Sequence, residues 1–241
     1  SNVIRIHVGW VAVIIISLAP LLDAYKPVEE VEDDFLLGEE LSEERKAFKS
    51  TFLLMGSELS VRFVGSDSYV LFDQVASECS RLEDEISHYK HDSSIGKLNT
   101  NSVNSVQLSE QALSMYRMAE LVKLQSRGAF NPEYRDVSQN ASKTPCFTLL
   151  NQTLEKTCQQ SSLDYGAIGK GAALDLAMNI LSLSANCIEL NFAGQIAFNY
   201  LKGSCSQPDN YVFRDVPGVI QVSRSYGSIS TSGNFGKNLS G

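Results

Sequence analysis

Residues 164–175 read DYGAIGKGAALD, and the fold turns on how this stretch is understood. Gly166, Gly169 and Gly171 stand just ahead of an Ala- and Leu-rich run, with Lys170 between the last two. Glycines at the mouth of a helix let the backbone approach a ligand closely and aim unpaired N–H groups at an anion, to which Lys170 adds a positive charge. The order G-x-x-G-x-G is not that of a dinucleotide fingerprint, and no Lys-Ser/Thr pair makes it a P-loop. Simple close packing explains the same glycines without any ligand, so both readings stand at this point. The first of them predicts a phosphate-cradling turn that opens a helix over residues 170–183, with Lys170 at the helix start.

Working outward, hydrophobic periodicity assigns the flanking elements. In residues 68–87 the apolar positions Val70, Leu71, Val75, Cys79, Leu82 and Ile86 recur every three or four residues, the spacing of an amphipathic helix. Residues 108–124 repeat it, with Ser109 as N-cap and Gly128 as the stop. Residues 49–64 (KSTFLLMGSELSVRFV) alternate apolar and polar side chains in their second half, which predicts a half-buried strand with a kink at Gly56. Residues 148–150 and 154–157 flank Asn151 and Gln152 as a short hairpin. Strands follow at residues 188–192, 196–200 and 219–223. Strands and helices interleave without a regular βαβ alternation, so the class is α+β, a mixed sheet with helices.

Composition bounds the function. The chain has 241 residues, is 43% hydrophobic and 20% charged, and carries a net charge of −8. It is long enough for a real core, and no Lys/Arg cluster offers itself to a polyanion, which argues against nucleic acid as a partner. Of the five cysteines, none forms a C-x-x-C pair, so thiolate metal binding is not indicated. Cys146 and Cys158 flank the expected hairpin, which could bring them together as a disulfide. Residues 8–22 (VGWVAVIIISLAPLL) follow Arg5 and His7 as an apolar run shorter than a spanning helix needs, the pattern of a signal peptide or membrane anchor. Three regions result: 1–25 as signal or anchor, 26–49 as an acidic linker, and 50–241 as the functional domain.

Two further segments are rich in backbone and hydroxyl donors. Residues 227–235 (GSISTSGNF) form a second phosphate-friendly loop, although a surface turn reads the same. In residues 127–132 (RGAFNP), Pro132 pushes Asn131 toward extended geometry and Phe130 could present an aromatic face. Together with Met55-Gly56-Ser57 before ELSVRF, with Tyr89 and the run DSSIGKLN at 92–99, and with NFAGQ at 191–195, these segments resemble, in order, the motifs of the FAD:protein FMN transferase (ApbE) family. The resemblance spans about residues 50–241. It departs from the family pattern where Asn131 replaces an acid and where NFAGQ lacks the second carboxylate. The family's metal-binding Asp and the His of its H-x-x-D-P-x-T-G motif are expected beyond Gly241.

The resemblance implies an ApbE-like (T-fold-like) α+β domain that binds FAD and Mg²⁺ and attaches FMN covalently to a Thr of a partner flavoprotein. The other reading it leaves open is a catalytically reduced, exported FAD-binding protein. Carried over by motif, Met55, Tyr89, Ala129, Phe130, Asn131, Asp164, Lys170 and Ile229 would touch FAD, and Ala167 would offer its carbonyl to the metal. Such a protein is expected to be exported, either periplasmic or anchored to the inner membrane by its N-terminal segment.

Overall fold

In the computed structural model, the residues described are 7–8, 11–13, 29–30, 46–65, 68–135, 145–200, 210–211, 220–221 and 224–232. The first half of the chain runs β1 (His7–Val8), β2 (Val11–Val13), β3 (Glu29–Glu30), β4 (Lys46–Leu54), β5 (Ser57–Gly65), α1 (Ser68–Ile86), α2 (Ser94–Asn99), β6 (Ser105–Gln107) and α3 (Glu110–Gln125). The second half runs β7 (Glu133–Arg135), β8 (Phe147–Leu150), β9 (Thr153–Lys156), β10 (Ser161–Leu163), α4 (Gly166–Leu181), β11 (Asn186–Phe192), β12 (Gln195–Asn199), β13 (Asn210–Tyr211), β14 (Ile220–Gln221), β15 (Tyr226–Ile229) and β16 (Thr231–Ser232). The α+β class follows directly. The apolar run expected to be an export signal lies outside the described residues, apart from the backbone pairing of β1 with β2 and of β2 with β16.

The central sheet has the order β15-β12-β11-β5-β4-β3, and all its pairs are antiparallel. Residues 49–64, expected as one kinked strand, are instead the two arms of a hairpin. Leu54 pairs with Ser57, and Met55 and Gly56 turn the chain with φ of 42° and 70°. Two successive positive φ values are what a two-residue hairpin loop needs to match the strand twist. Methionine is not a residue that advertises this conformation, which hid the turn. Ala193 and Gly194 repeat the device between β11 and β12, with φ of 49° and 87°.

One face of this sheet is covered by α1 and α4. Phe52, Phe63, Phe72, Val75, Leu174 and Phe192 are among the buried residues of the resulting core. A second core gathers Leu82, Ile86, Leu98, Leu113, Leu154 and Tyr165 beneath α2, α3 and the small β6-β9-β8 sheet. Met55 and Leu176 are half-buried against both cores. The β8–β9 hairpin turns at Asn151 (φ 57°) as expected, and a disulfide between Cys146 and Cys158 closes its base. Cys187 is also disulfide-bonded, while Cys79 is a free thiol buried in α1, where burial raises it well above its ordinary range.

The helices begin and end largely where the sequence placed them. Ser109 caps α3 by accepting from the Ala112 N–H. At its other end Arg127 takes a left-handed φ of 55°, and the Gly128 N–H reaches back to the Lys123 carbonyl. Helix α4 is the exception, because it starts at Gly166 rather than Lys170. The glycines lie inside the helix. At Gly169 an added Cβ would stand 3.3 Å from Ile86 Cδ1 and 3.4 Å from Met55 Sδ, so the missing side chain lets α4 pack closely against α1 and the Met55 turn.

Candidate functional site

A cleft of about 330 Å³ opens at the junction of the two cores. Met55 comes from the β4–β5 turn, His88 and Tyr89 from the segment after α1, Asp164 and Tyr165 from just ahead of α4, and Gly166, Ala167, Gly169 and Lys170 from its first five residues. Clefts for small ligands run from roughly 300 to 1,000 Å³, so this one has room for a fused ring system with its attachments reaching outward. Tyr89 is 81% exposed and offers an open ring face.

The polar groups of the cleft are held in place by short-range contacts. Asp164 Oδ1 accepts from the Gly166 N–H at 2.7 Å and lies 3.2 Å from His88 Nδ1. The His88 ring in turn lies against Tyr89, with centroids 3.8 Å apart. Lys170 Nζ donates to Ser57 Oγ at 3.3 Å and stands 5.5 Å from the centre of the Phe192 ring. Its charge is therefore supported by a hydroxyl and an aromatic face rather than placed at a helix start. That corrects the expectation from sequence, and the reason is the longer α4. The ammonium still reaches the cleft, because Lys170, one turn into α4, is among the residues that line it.

Five of the residues singled out from sequence meet in this cleft: Met55, Tyr89, Asp164, Ala167 and Lys170. The other four lie outside its lining. Ala129 is exposed beyond α3, and Phe130 packs half-buried on the second core with its N–H bonded to Ser126 Oγ at 3.0 Å. Asn131 is exposed, and its Oδ1 accepts from the Glu133 N–H at 3.2 Å. Ile229 is buried at the end of β15, paired with Ile196. Sequence reasoning missed His88 and Tyr165. Nothing in the local sequence marks His88, whose partner Asp164 is distant along the chain.

Tyr165 lines the cleft from below and is 2% exposed, and its hydroxyl has no hydrogen-bond partner among the described residues. Burial pushes the phenol well above its usual range, with Tyr116 and Glu120 adding to the shift. A buried hydroxyl without a partner costs stability, so Tyr165→Phe is expected to stabilise the protein by about 1 kcal/mol. For a chain of this size that raises the thermal midpoint by roughly 2–4 °C. A lower midpoint for the variant would show that the hydroxyl is satisfied.

Among the described residues no group of three His, Cys, Asp or Glu side chains could hold a metal ion. Among the described residues Asp164 is the one carboxylate in the lining, and it is already engaged by Gly166 and His88. No helix among the described residues is long and apolar enough to cross a membrane.

Comparison with known proteins agrees with the geometry. The model of the ApbE family matches residues 55–241. Among solved structures, a histidine-to-glycine variant of the flavin transferase ApbE from Vibrio cholerae superposes with a TM-score of 0.58 at 17% identity, over 72% of this chain and 69% of that one. The unsubstituted Vibrio cholerae protein gives 0.53 at 18% identity, over 64% of this chain and 59% of that one. The apo form of Pseudomonas stutzeri flavinyl transferase ApbE gives 0.60 at 17% identity, over 76% and 70%. At these identities the likeness is one of fold. No curated protein matches.

Proposed function

Because the chain belongs to the ApbE family, we propose that it is a flavin transferase that moves FMN from FAD to a hydroxyl of an acceptor protein. The observation that carries this reading is the meeting of Met55, Tyr89, Asp164 and Lys170, from three separate segments, in one cleft. Tyr89 supplies an open face for the isoalloxazine ring to stack on, and the Met55 thioether an adaptable apolar wall. Lys170 faces the negative charge of the pyrophosphate. Asp164, fixed by Gly166 and His88, accepts hydrogen bonds from the bound substrate through its remaining lone pairs.

The reaction is a substitution at phosphorus. The acceptor's hydroxyl oxygen bonds to the phosphorus of the FMN half, the bond to the bridging oxygen breaks, and AMP leaves with that oxygen while the hydroxyl proton passes to base. The acceptor hydroxyl is taken to be that of a Thr, on the family resemblance. Mg²⁺ dependence belongs to the proposal on the chemistry of pyrophosphate cleavage alone, which calls for a cation to neutralise developing charge. The described residues do not by themselves make a magnesium site, and no step is derived through one. Export is likewise proposed. The Cys146–Cys158 disulfide supports it, since disulfides persist in oxidising compartments.

The test is a titration with FAD followed by flavin fluorescence, and then incubation with FAD, Mg²⁺ and a Thr-bearing acceptor. Covalent fluorescence on the acceptor after denaturing electrophoresis, with release of AMP, is expected. Lys170→Ala should weaken FAD binding about tenfold, equal to about 1.4 kcal/mol. Equal affinities would remove Lys170 from the set of contacts. Binding without labelling would favour the second reading, a flavin-binding protein that does not transfer. No binding would overturn both.

A further inference from the structure

Two walls of the cleft are loops that have no ladder hydrogen bonds to each other. One is the Met55–Gly56 turn, and the other is the segment 87–90 that presents His88 and Tyr89. Both reach the same side chain. Glu83, at the start of the last turn of α1, is only 7% exposed. Its Oε1 accepts from the Met55 backbone N–H at 3.1 Å, and its Oε2 accepts from Lys90 Nζ at 2.9 Å.

A buried carboxylate is expensive to keep unless each oxygen has a donor. Here one donor belongs to each wall. Lys90 also donates to Asp84 at 2.9 Å, but Asp84 is largely exposed, so the buried arm of the pair is the one to Glu83. Burial alone would lower the Lys90 ammonium, yet the bonds to Glu83 and Asp84 outweigh it and hold it above its ordinary value.

We propose that Glu83 is a positioning residue that sets the width of the cleft, holding the Met55 turn with one oxygen and, through Lys90, the Tyr89 segment with the other. The proposal rests on the flavin reading of the cleft for its functional consequence, but the clamp itself is testable without ligand. Glu83 touches neither the cleft's interior nor any reacting atom, since it is absent from the lining residues. Glutamine at position 83 keeps an oxygen for the Met55 N–H but turns an amide toward the Lys90 ammonium, so it releases one arm of the clamp only. Lys90→Met releases the same arm from the other side.

The experiment compares wild type, Glu83→Gln, Lys90→Met and the double variant in two measurements. In the FAD titration each single variant is expected to raise Kd about tenfold and to restore part of the flavin fluorescence at saturation, because Tyr89 no longer stacks squarely; Tyr89→Leu provides the reference signal. The double variant should match the singles within about twofold, because the partners act as one unit. A purely structural loss would not change the fluorescence of the saturated complex. In the absence of ligand, hydrogen exchange at the amides of residues 87–90 should speed up in both single variants while those of α1's buried turns stay protected. Wild-type Kd and quenching in Glu83→Gln, multiplicative effects in the double variant, or unchanged exchange at 87–90 would each overturn the clamp. If wild type itself binds no FAD, the flavin reading fails, and the exchange data still decide the role of Glu83.

Discussion

Alanine at position 96 is expected to lower stability by about 3 kcal/mol, the upper end of the range for overpacking a tight site, and the thermal midpoint by roughly 6–12 °C. Gly96 is buried in the first turn of α2, where a Cβ would stand 2.0 Å from the Lys90 carbonyl oxygen and 2.9 Å from Ser93 Oγ. The near atom is backbone, so it cannot swing aside. The carbonyl is also committed, because it accepts from the Ser93 N–H at 3.1 Å. Ser93 in turn caps α2 through the Gly96 N–H and donates to the Ser87 carbonyl. The added methyl group therefore pushes on the whole 87–93 segment, and FAD affinity should fall with stability. A melt within 2 °C of wild type would mean that the helix start is looser than its packing indicates.

Asn99→Ala is expected to cost about as much, for a different reason. The Asn99 side chain imitates a strand. Its Nδ2 donates to the Leu163 carbonyl and its Oδ1 accepts from the Leu163 N–H, each at 2.8 Å. Leu163 is buried and directly precedes Asp164, so this pair of bonds fixes the approach of the chain to the cleft. Removing the amide strands one donor and one acceptor of the backbone. At about 1–3 kcal/mol for each, and with part of the site within reach of solvent, a loss of about 3 kcal/mol follows. Denaturant melts with unchanged slope and a lower midpoint would confirm it. A loss below about 1 kcal/mol would show that water replaces the amide.

The Asn99 contact also explains why two motifs distant in sequence belong together. The run ending in LN and the run beginning at Asp164 were both legible as motifs, but the bond between them was not. Local periodicity disclosed what local forces fix: α1 and α3 by their three- and four-residue spacing, the Ser109 cap, and the hairpin around Asn151. It failed where a neighbour overrides the local preference. Glycines argue against a helix, yet α4 takes them, and at Gly169 the absent Cβ spares a tight contact with the side-chain ends of Ile86 and Met55. Met55 at positive φ gave no turn signal, and His88 and Glu83 look like ordinary helix-end polar residues until the fold brings Asp164, Met55 and Lys90 to them. Ala129, Phe130, Asn131 and Ile229, which rest on the motif match alone, are not among the residues that line the cleft.

Helix α4 lies between the two cores and touches α1, α3, β11 and β12. Along its length only Gly166, Ala167 and Asn179 are fully exposed, and the rest of the helix is buried or half-buried. In terms of mutational tolerance, the helix that supplies Lys170 accepts change poorly, since its inward positions serve one core or the other. Segment 87–90 is under no such restriction on its outer side: Tyr89 projects outward, and the nearest backbone is held by polar bonds rather than packing. Variation that retunes what the cleft accepts, in a laboratory or in a lineage, is therefore channelled to that segment, while α4 keeps its sequence and the cleft keeps its floor.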